Sequence, residues 1–213
     1  MTQLDFRDRL LAVGLSGLAG YVDAVGFLAT GGFFVSFMSG NSTRFGVGLA
    51  ERAGAIAIAG ALIVMFVGGV ATGSLLARGR REVRQGRLLV SLAVLLALAA
   101  LTGDLGKPWL AAGLLALAMG MENVYFEEAG EVRLGLTYMT GRLVKVGQGL
   151  AAAISGGPAF GWLPHLLLWA GLIGGGAAGA VAYLAIGIDA LWLAVAAVLA
   201  LLVVQSARRT RAA

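Results

Sequence analysis

Ser36-Phe37-Met38-Ser39-Gly40-Asn41-Ser42-Thr43-Arg44-Phe45-Gly46-Val47-Gly48-Leu49-Ala50 and Thr137-Tyr138-Met139-Thr140-Gly141-Arg142-Leu143-Val144-Lys145-Val146-Gly147-Gln148-Gly149-Leu150-Ala151 are two versions of one stretch. They share the pattern aromatic-Met-[Ser/Thr]-Gly-x-x-x-[Arg/Lys]-x-Gly-x-Gly-Leu-Ala. Each copy interrupts an otherwise apolar chain with glycines, hydroxyls and a cation. In a membrane protein, matching interruptions in the two halves of the chain point to a binding site.

Composition makes this a membrane protein. Of the 213 residues, 59% are hydrophobic and 13% charged, about half the charge fraction of a soluble domain. Mean hydropathy is +0.89. Several apolar runs approach the ~20 residues that carry a helix across ~30 Å of hydrocarbon. The runs are continuous rather than alternating, which excludes a β-barrel. The net charge of +5 would suggest nucleic acid in a soluble protein, but the cations cluster in short loops beside apolar spans. No nucleic-acid partner is expected; the lipid bilayer is. The chain has no cysteine and one histidine, His165, so neither a thiol nucleophile nor a Cys/His metal cluster can be assembled. Arg7 and Arg9 before an apolar stretch imitate a signal peptide. That stretch carries Asp23, lacks a small-x-small cleavage site and has an internal copy later, so it reads as the first span.

Six spans are predicted: Leu10–Ala29, Gly54–Leu76, Leu88–Thr102, Trp109–Phe126, His165–Ile186 and Leu191–Val204. Pro108 suits the first turn of the fourth, where a missing N–H costs nothing. The third is short and has room to extend into its flanks. The segment from Ala77 to Arg87 holds five arginines and reads as a cytoplasmic loop. Arg7 and Arg9 put the N-terminus on the same side, and Arg208, Arg209 and Arg211 the C-terminus. A full crossing by residues 31–50 would move the five-arginine loop outside. Gly31–Ala50 is therefore expected to dip in and return, or to form a broken helix lining a cavity, and Leu134–Ala151 likewise. Such backbone is tolerated at membrane depth only when buried in protein or facing water.

The duplication extends beyond the dips. Gly20-Tyr21-Val22-Asp23-Ala24 matches Gly120-Met121-Glu122-Asn123-Val124, and Val67-Gly68-Gly69-Val70-Ala71-Thr72-Gly73 matches Ile173-Gly174-Gly175-Gly176-Ala177-Ala178-Gly179. One transmembrane domain over residues 1–213 is expected, all α-helical, with repeat 1 at 10–103 and repeat 2 at 108–206. Three spans per half turn the second half upside down, an inverted repeat of the kind frequent in secondary transporters. Gly69 to Gly73 and Gly175 to Gly179 are GxxxG pairs suited to close helix packing. The third and sixth spans have no polar face and are expected to meet lipid or a partner subunit; a homo-oligomer could form through them.

Asp23 and Glu122-Asn123 lie inside spans, where an unpaired charge costs several kcal/mol. By helical rise, Asp23 sits ~5 Å and Glu122 ~7 Å beyond the middle of its span. Inversion would turn these offsets toward opposite sides, so the two carboxyls could line one cavity. Alternatively each caps the broken segment of its own half. Ser39-Gly40-Asn41-Ser42-Thr43 and Thr140-Gly141 resemble helix N-caps, which would aim positive helix ends at the cavity. Arg44 and Lys145 are equivalent cations, and Arg142 adds a third. They suit an anionic ligand, ion pairing with Asp23 and Glu122, or snorkelling to an interface. Glu127, Glu128, Glu131 and Arg133 read as a solvated loop, and His165 as interfacial. There is no HExxH, GxGD, GxSxG or Walker motif, so neither an enzyme nor a cofactor is expected.

The first-half elements Gly20-Tyr21-Val22-Asp23-Ala24 and Phe37-Met38-Ser39-Gly40-Asn41-Ser42-Thr43 resemble the signature of the YoaK-like family of bacterial inner-membrane proteins. The similarity covers essentially the whole chain and includes Gly120-Met121-Glu122-Asn123 and Met139-Thr140-Gly141. Where that family commonly has Asn after the second Thr-Gly, this chain has Arg142. The resemblance implies an inner-membrane location and a fold, but no substrate.

The residues therefore favour a secondary transporter or channel for a small polar or anionic solute, with a site between the repeats. Asp23 and Glu122 would carry protons or neutralise cations, while Asn41, Thr43, Arg44, Asn123, Arg142 and Lys145 would orient the ligand. The alternative is a non-transporting scaffold, sensor or lipid-binding protein with the dips as closed plugs.

Overall fold

The computed structural model describes residues 6–51, 54–79, 81–128, 131–132 and 136–210. Eight helices follow in order: α1 (Phe6–Ala29), α2 (Met38–Glu51), α3 (Ala55–Leu76), α4 (Arg81–Asp104), α5 (Pro108–Glu122), α6 (Met139–Ile154), α7 (Leu163–Ile186) and α8 (Ala190–Thr210). A two-residue antiparallel ladder joins Glu127–Glu128 to Glu131–Val132. Prolines open α5 and α7 at their first turns, where no N–H is lost. Gly187, at φ 66°, ends α7 in a left-handed conformation.

Four stretches of the described residues are long and apolar enough to cross a membrane: Asp8–Ala29, Ala55–Leu76, Val83–Asp104 and Leu163–Ser206. The last has 44 residues and is broken by the 3-10 turn Gly187–Asp189 that separates α7 from α8. Helix α5 is apolar but has 15 residues, ~22 Å of helix.

Glycines set how these helices pair. In lipid, apolar burial does not drive helices together; close backbone contact between small residues does. Helix α1 lies on α7: a Cβ on Gly20 would collide with the Leu172 carbonyl, one on Gly175 with the Gly17 carbonyl, and one on Gly179 with the Tyr21 carbonyl. Helix α3 lies on α5 the same way: a Cβ on Gly120 would collide with the Phe66 carbonyl, and one on Gly69 with the Leu117 carbonyl. Both pairs are parallel, because Val13 faces Gly171 while Tyr21 faces Gly179, and Met65 faces Gly113 while Gly73 faces Met121.

Helices α4 and α8 run antiparallel. At one end Gln205 donates to Gln85 at 3.3 Å; at the other, Trp192 Nε1 donates to Asp104 at 3.1 Å. Leu88, Leu92 and Leu96 of α4 and Leu191, Val195 and Val198 of α8 are buried. The third and sixth spans, expected to face lipid or a partner, keep Val90, Val94, Leu98, Leu193, Leu199 and Val203 exposed on one side and are covered on the other. Each has one covered face, and α4 also packs on α5.

Two boundaries shift as well. Helix α4 begins at Arg81, inside the arginine-rich segment read as a loop. Arginine is a good helix former whose long stem can carry its charge outward, so cations alone do not stop a helix. Helix α5 ends at Glu122, four residues before the expected limit, and Glu122 is its last residue rather than an interior one. The stretch Glu127–Arg133 lies partly outside the described residues.

The two repeated stretches become the helices α2 and α6. After α1, Gly31 and Gly32 take φ of 68° and 113° and reverse the chain. The segment to Ser36 then returns along α1, where a Cβ on Gly26 would lie 2.7 Å from Val35. Asp23 is six residues, ~9 Å, back from the end of α1, so the chain retreats that far before α2 begins. Helix α2 then runs antiparallel to α3, with Gly48 against Ile56 and Phe45 against Gly60. The dip is thus extended on the way in and helical on the way back.

Candidate functional site

The return segment is held by Asp23. Its Oδ1 accepts the Val35 N–H at 2.8 Å and the Ser36 N–H at 2.7 Å. Those donors have no partner in a regular ladder, and a charged acceptor makes bonds roughly twice as strong as a neutral one. The Ser36 side chain and the Phe37 backbone also hydrogen-bond the carboxylate, and Asp23 remains half-buried.

Asn41, wholly buried, completes the first unit. Its Oδ1 accepts the Phe34 N–H at 3.0 Å and its Nδ2 donates to the Phe34 carbonyl at 2.6 Å. One amide side chain thereby replaces a strand partner. Around it, Phe34 packs against Phe27 and Phe37 with ring centroids 4.8 and 5.2 Å apart. Arg44 turns away from Asp23 and stacks 4.8 Å over Phe33, which also packs edge-on against Trp109 of α5.

The second half repeats the clasp with different chemistry. Asn123 Oδ1 accepts from the Thr137 N–H at 3.3 Å and from its hydroxyl at 3.1 Å, while Nδ2 donates to the Met119 carbonyl at 2.9 Å. Asn123 therefore holds the place of Asp23, as the sequence match places it. Glu122 holds the place of Val22. It is 3% exposed, and neither of its carboxylate oxygens has a hydrogen-bond partner among the described residues. Capping thus falls to Asp23 in one half and to Asn123, not Glu122, in the other.

Arg142 stands where Asn41 stands in the first copy. A guanidinium has no acceptor, so it cannot clasp both groups of a peptide. Arg142 instead reaches the His165 ring, with Nη1 3.4 Å from Nδ1. Lys145, one turn along α6, is exposed. The second copy presents two cations beside a histidine, and the first presents a carboxylate oxygen and an aromatic wall.

The hydroxyls depart from their expected role as helix caps. Ser42 and Thr43 lie inside α2 and donate to the carbonyls of Met38 and Ser39, four residues back. The residue preceding α6 is Tyr138, which makes no side-chain cap. Both helices begin at the methionine, one residue before the Ser-Gly or Thr-Gly pair.

Three polar contacts and one buried cation escaped the sequence reading. Ser16 Oγ lies 3.0 Å from the Leu168 carbonyl and 3.4 Å from that of Leu136, linking α1, α7 and the second return segment. Tyr21 donates to the Ala190 carbonyl at 2.8 Å. Gln205 bridges Gln85 and Tyr125. Arg84 of α4 is buried, with no partner for its Nε among the described residues. Gln205 was visible as the first polar residue after an apolar run; nothing local singles out Gln85 or Ser16.

The same architecture has relatives. Residues 11–204 match the model described as "Protein of unknown function (DUF1275)". Over 183 residues the chain is 37% identical to the UPF0700 transmembrane protein RA0705 of Rhizobium meliloti (strain 1021), which covers 86% of this chain and 79% of that protein. No solved structure matches. That relative's transmembrane description agrees with the apolar helices found here, and the protein is a multi-pass membrane protein. The chain belongs to the DUF1275 family.

Proposed function

We propose that the protein is a proton-coupled secondary transporter or channel for a small polar or anionic solute, bound between two inverted repeats. The observation that carries this reading is Asp23: a half-buried carboxylate inside a helix, where it caps the backbone of the return segment. Arg142 and Lys145 on the opposite repeat supply positive charge for an anion. Glu122 supplies a second acid whose ionised form has no partner among the described residues, so it is suited to carrying a proton rather than a fixed charge. No enzymatic step, metal or cofactor is part of this reading.

The inversion has its own support. The collisions at Gly20–Leu172 and Gly120–Phe66 involve residues that the duplication matches, as do Gly175–Gly17 and Gly69–Leu117. Each repeat's first helix therefore packs on the other repeat's glycine-rich helix. Helix α1 is parallel to α7, α7 returns through the short turn into α8, and α8 is antiparallel to α4. The short turn between α4 and α5 then leaves α1 and α5 opposed. On this reading six helices cross a bacterial inner membrane with both termini cytoplasmic, and each half carries one re-entrant unit.

The test is flux in proteoliposomes under an imposed pH gradient, across a broad panel of organic anions and polar solutes. Wild type should move one solute class, while Asp23→Asn and Glu122→Gln should each slow proton-driven flux at least tenfold, the loss of about 1.4 kcal/mol. Absence of gradient-driven flux over the whole panel overturns the proposal. A closed membrane scaffold is the second reading, favoured by one observation: Asn41 spends its whole amide on Phe34. Folded wild type without flux would decide for it.

A further inference from the structure

A groove of about 460 Å³ opens at the arginine-rich end of the bundle, between the end of α3, α4 and α8. That volume lies within the ~300–1,000 Å³ of ligand pockets. Its α4 wall is Val83, Arg87, Val90 and Ser91, spaced as one helical face. Its α8 wall includes Leu202 and Gln205. The apolar face continues beyond the groove along α4 through Val94, Leu98 and Leu101, all exposed. The groove is therefore the charged end of a long open apolar track.

Three polar groups converge at that end. Arg87 is exposed and carries a forked set of donors suited to a phosphate. Ser91 lies one turn, ~6 Å, farther along α4 on the same face. Its hydroxyl makes no hydrogen bond among the described residues, whereas Ser42, Thr43, Thr72 and Thr102 all donate to the carbonyl four residues back. Gln205 spends its amide nitrogen on Gln85 and Tyr125, which leaves its carbonyl oxygen as an acceptor. Cation, hydroxyl donor and amide acceptor thus stand in sequence above an apolar track.

We propose that this groove binds an anionic glycerophospholipid. Arg87 takes the phosphodiester, Gln205 accepts a headgroup hydroxyl, Ser91 donates to an ester carbonyl, and one acyl chain lies along Val90, Val94 and Leu98. Basic sites between membrane helices suit such headgroups, and a zwitterionic lipid would bring its own cation against Arg87.

Native mass spectrometry of the full chain tests the assignment. The delipidated protein is offered equimolar dioleoyl-phosphatidylglycerol and dioleoyl-phosphatidylcholine, with and without inorganic phosphate. Wild type should retain phosphatidylglycerol preferentially, and Arg87→Gln should lower that preference at least about fivefold, as loss of a charged hydrogen bond does. Ser91→Ala should lower it less, and Arg87→Lys should keep part of it. Arg78→Gln, at the turn outside the groove, should leave it unchanged. Val90→Trp, which fills the track, should reduce retention of both lipids. Equal retention of the two lipids by wild type overturns the proposal. So does a preference that survives Arg87→Gln, one that falls equally in Arg78→Gln, or displacement of lipid by inorganic phosphate.

Discussion

Asp23 brings both an acceptor and a charge, and the substitution that separates them is already present in the other half of the chain. Asn123 catches the Thr137 backbone with an amide oxygen, so an amide suffices to hold a return segment. Asp23→Asn should therefore keep the fold at a cost of ~1 kcal/mol, the difference between a charged and a neutral acceptor. Asp23→Ala leaves the Val35 and Ser36 N–H groups without their acceptor and should cost at least ~2 kcal/mol. Chemical unfolding in mixed micelles should rank wild type above Asp23→Asn above Asp23→Ala; equal loss in both variants would mean that the hydrogen bonds do not hold the segment. The capping role was legible for Asp23 because an acid inside a span, just before a polar interruption, has free N–H groups within reach. The sequence match also pairs Asp23 with Asn123, but charge draws the eye to Glu122 beside it, and the match places Glu122 at the site of a core valine. The identity of the clasp at Asn41 was not legible, because it depends on a tertiary approach of Phe34 that no local pattern encodes.

Among the helices, most of the pattern was legible because a membrane span is written in hydropathy and a close crossing in glycine. The GxxxG pairs marked α3 and α7 as tightly packed, and both are. What hydropathy cannot say is which neighbour a face meets. Helices α4 and α8 read as featureless on every side, yet they pack on each other, and Leu88, Leu92, Leu96, Leu191 and Val195 are buried. The start of α4 was hidden for a related reason, since arginines signal a membrane edge and leave the helix free to continue past it. The α1–α7 crossing gives a test at this scale. Gly20→Ala puts a methyl into the Leu172 carbonyl and must push two backbones apart, an overpacking cost of ~1–3 kcal/mol. Gly14→Ala, on the same helix, meets nothing within 4 Å and should stabilise by up to ~1 kcal/mol through helix propensity alone. Unfolding of the two variants in micelles should move in opposite directions. A common shift would place the α1–α7 contact elsewhere.

At the scale of the whole molecule, the matched collisions make one prediction that does not depend on any substrate. If the halves are inverted, matching connections must lie on opposite faces of the membrane. The turn between α3 and α4, with Arg78, corresponds to the turn between α7 and α8, with Asp189. The end of α2, with Glu51, corresponds to the end of α6, with Ser155. The chain has no cysteine, so single substitutions can be labelled without background. A membrane-impermeant thiol reagent applied to intact cells should label Asp189→Cys and Glu51→Cys and spare Arg78→Cys and Ser155→Cys. Inverted vesicles should give the reverse. The positive-inside rule sets the absolute sense, since Arg78 and its neighbouring arginines belong on the cytoplasmic face. Labelling of Arg78→Cys and Asp189→Cys from one common side would overturn the inversion, and with it the placement of a site between opposed halves. The expected split would put the re-entrant unit held by Asp23 and the one carrying Arg142 and Lys145 on entries from opposite sides. An anion and a proton could then meet only between them.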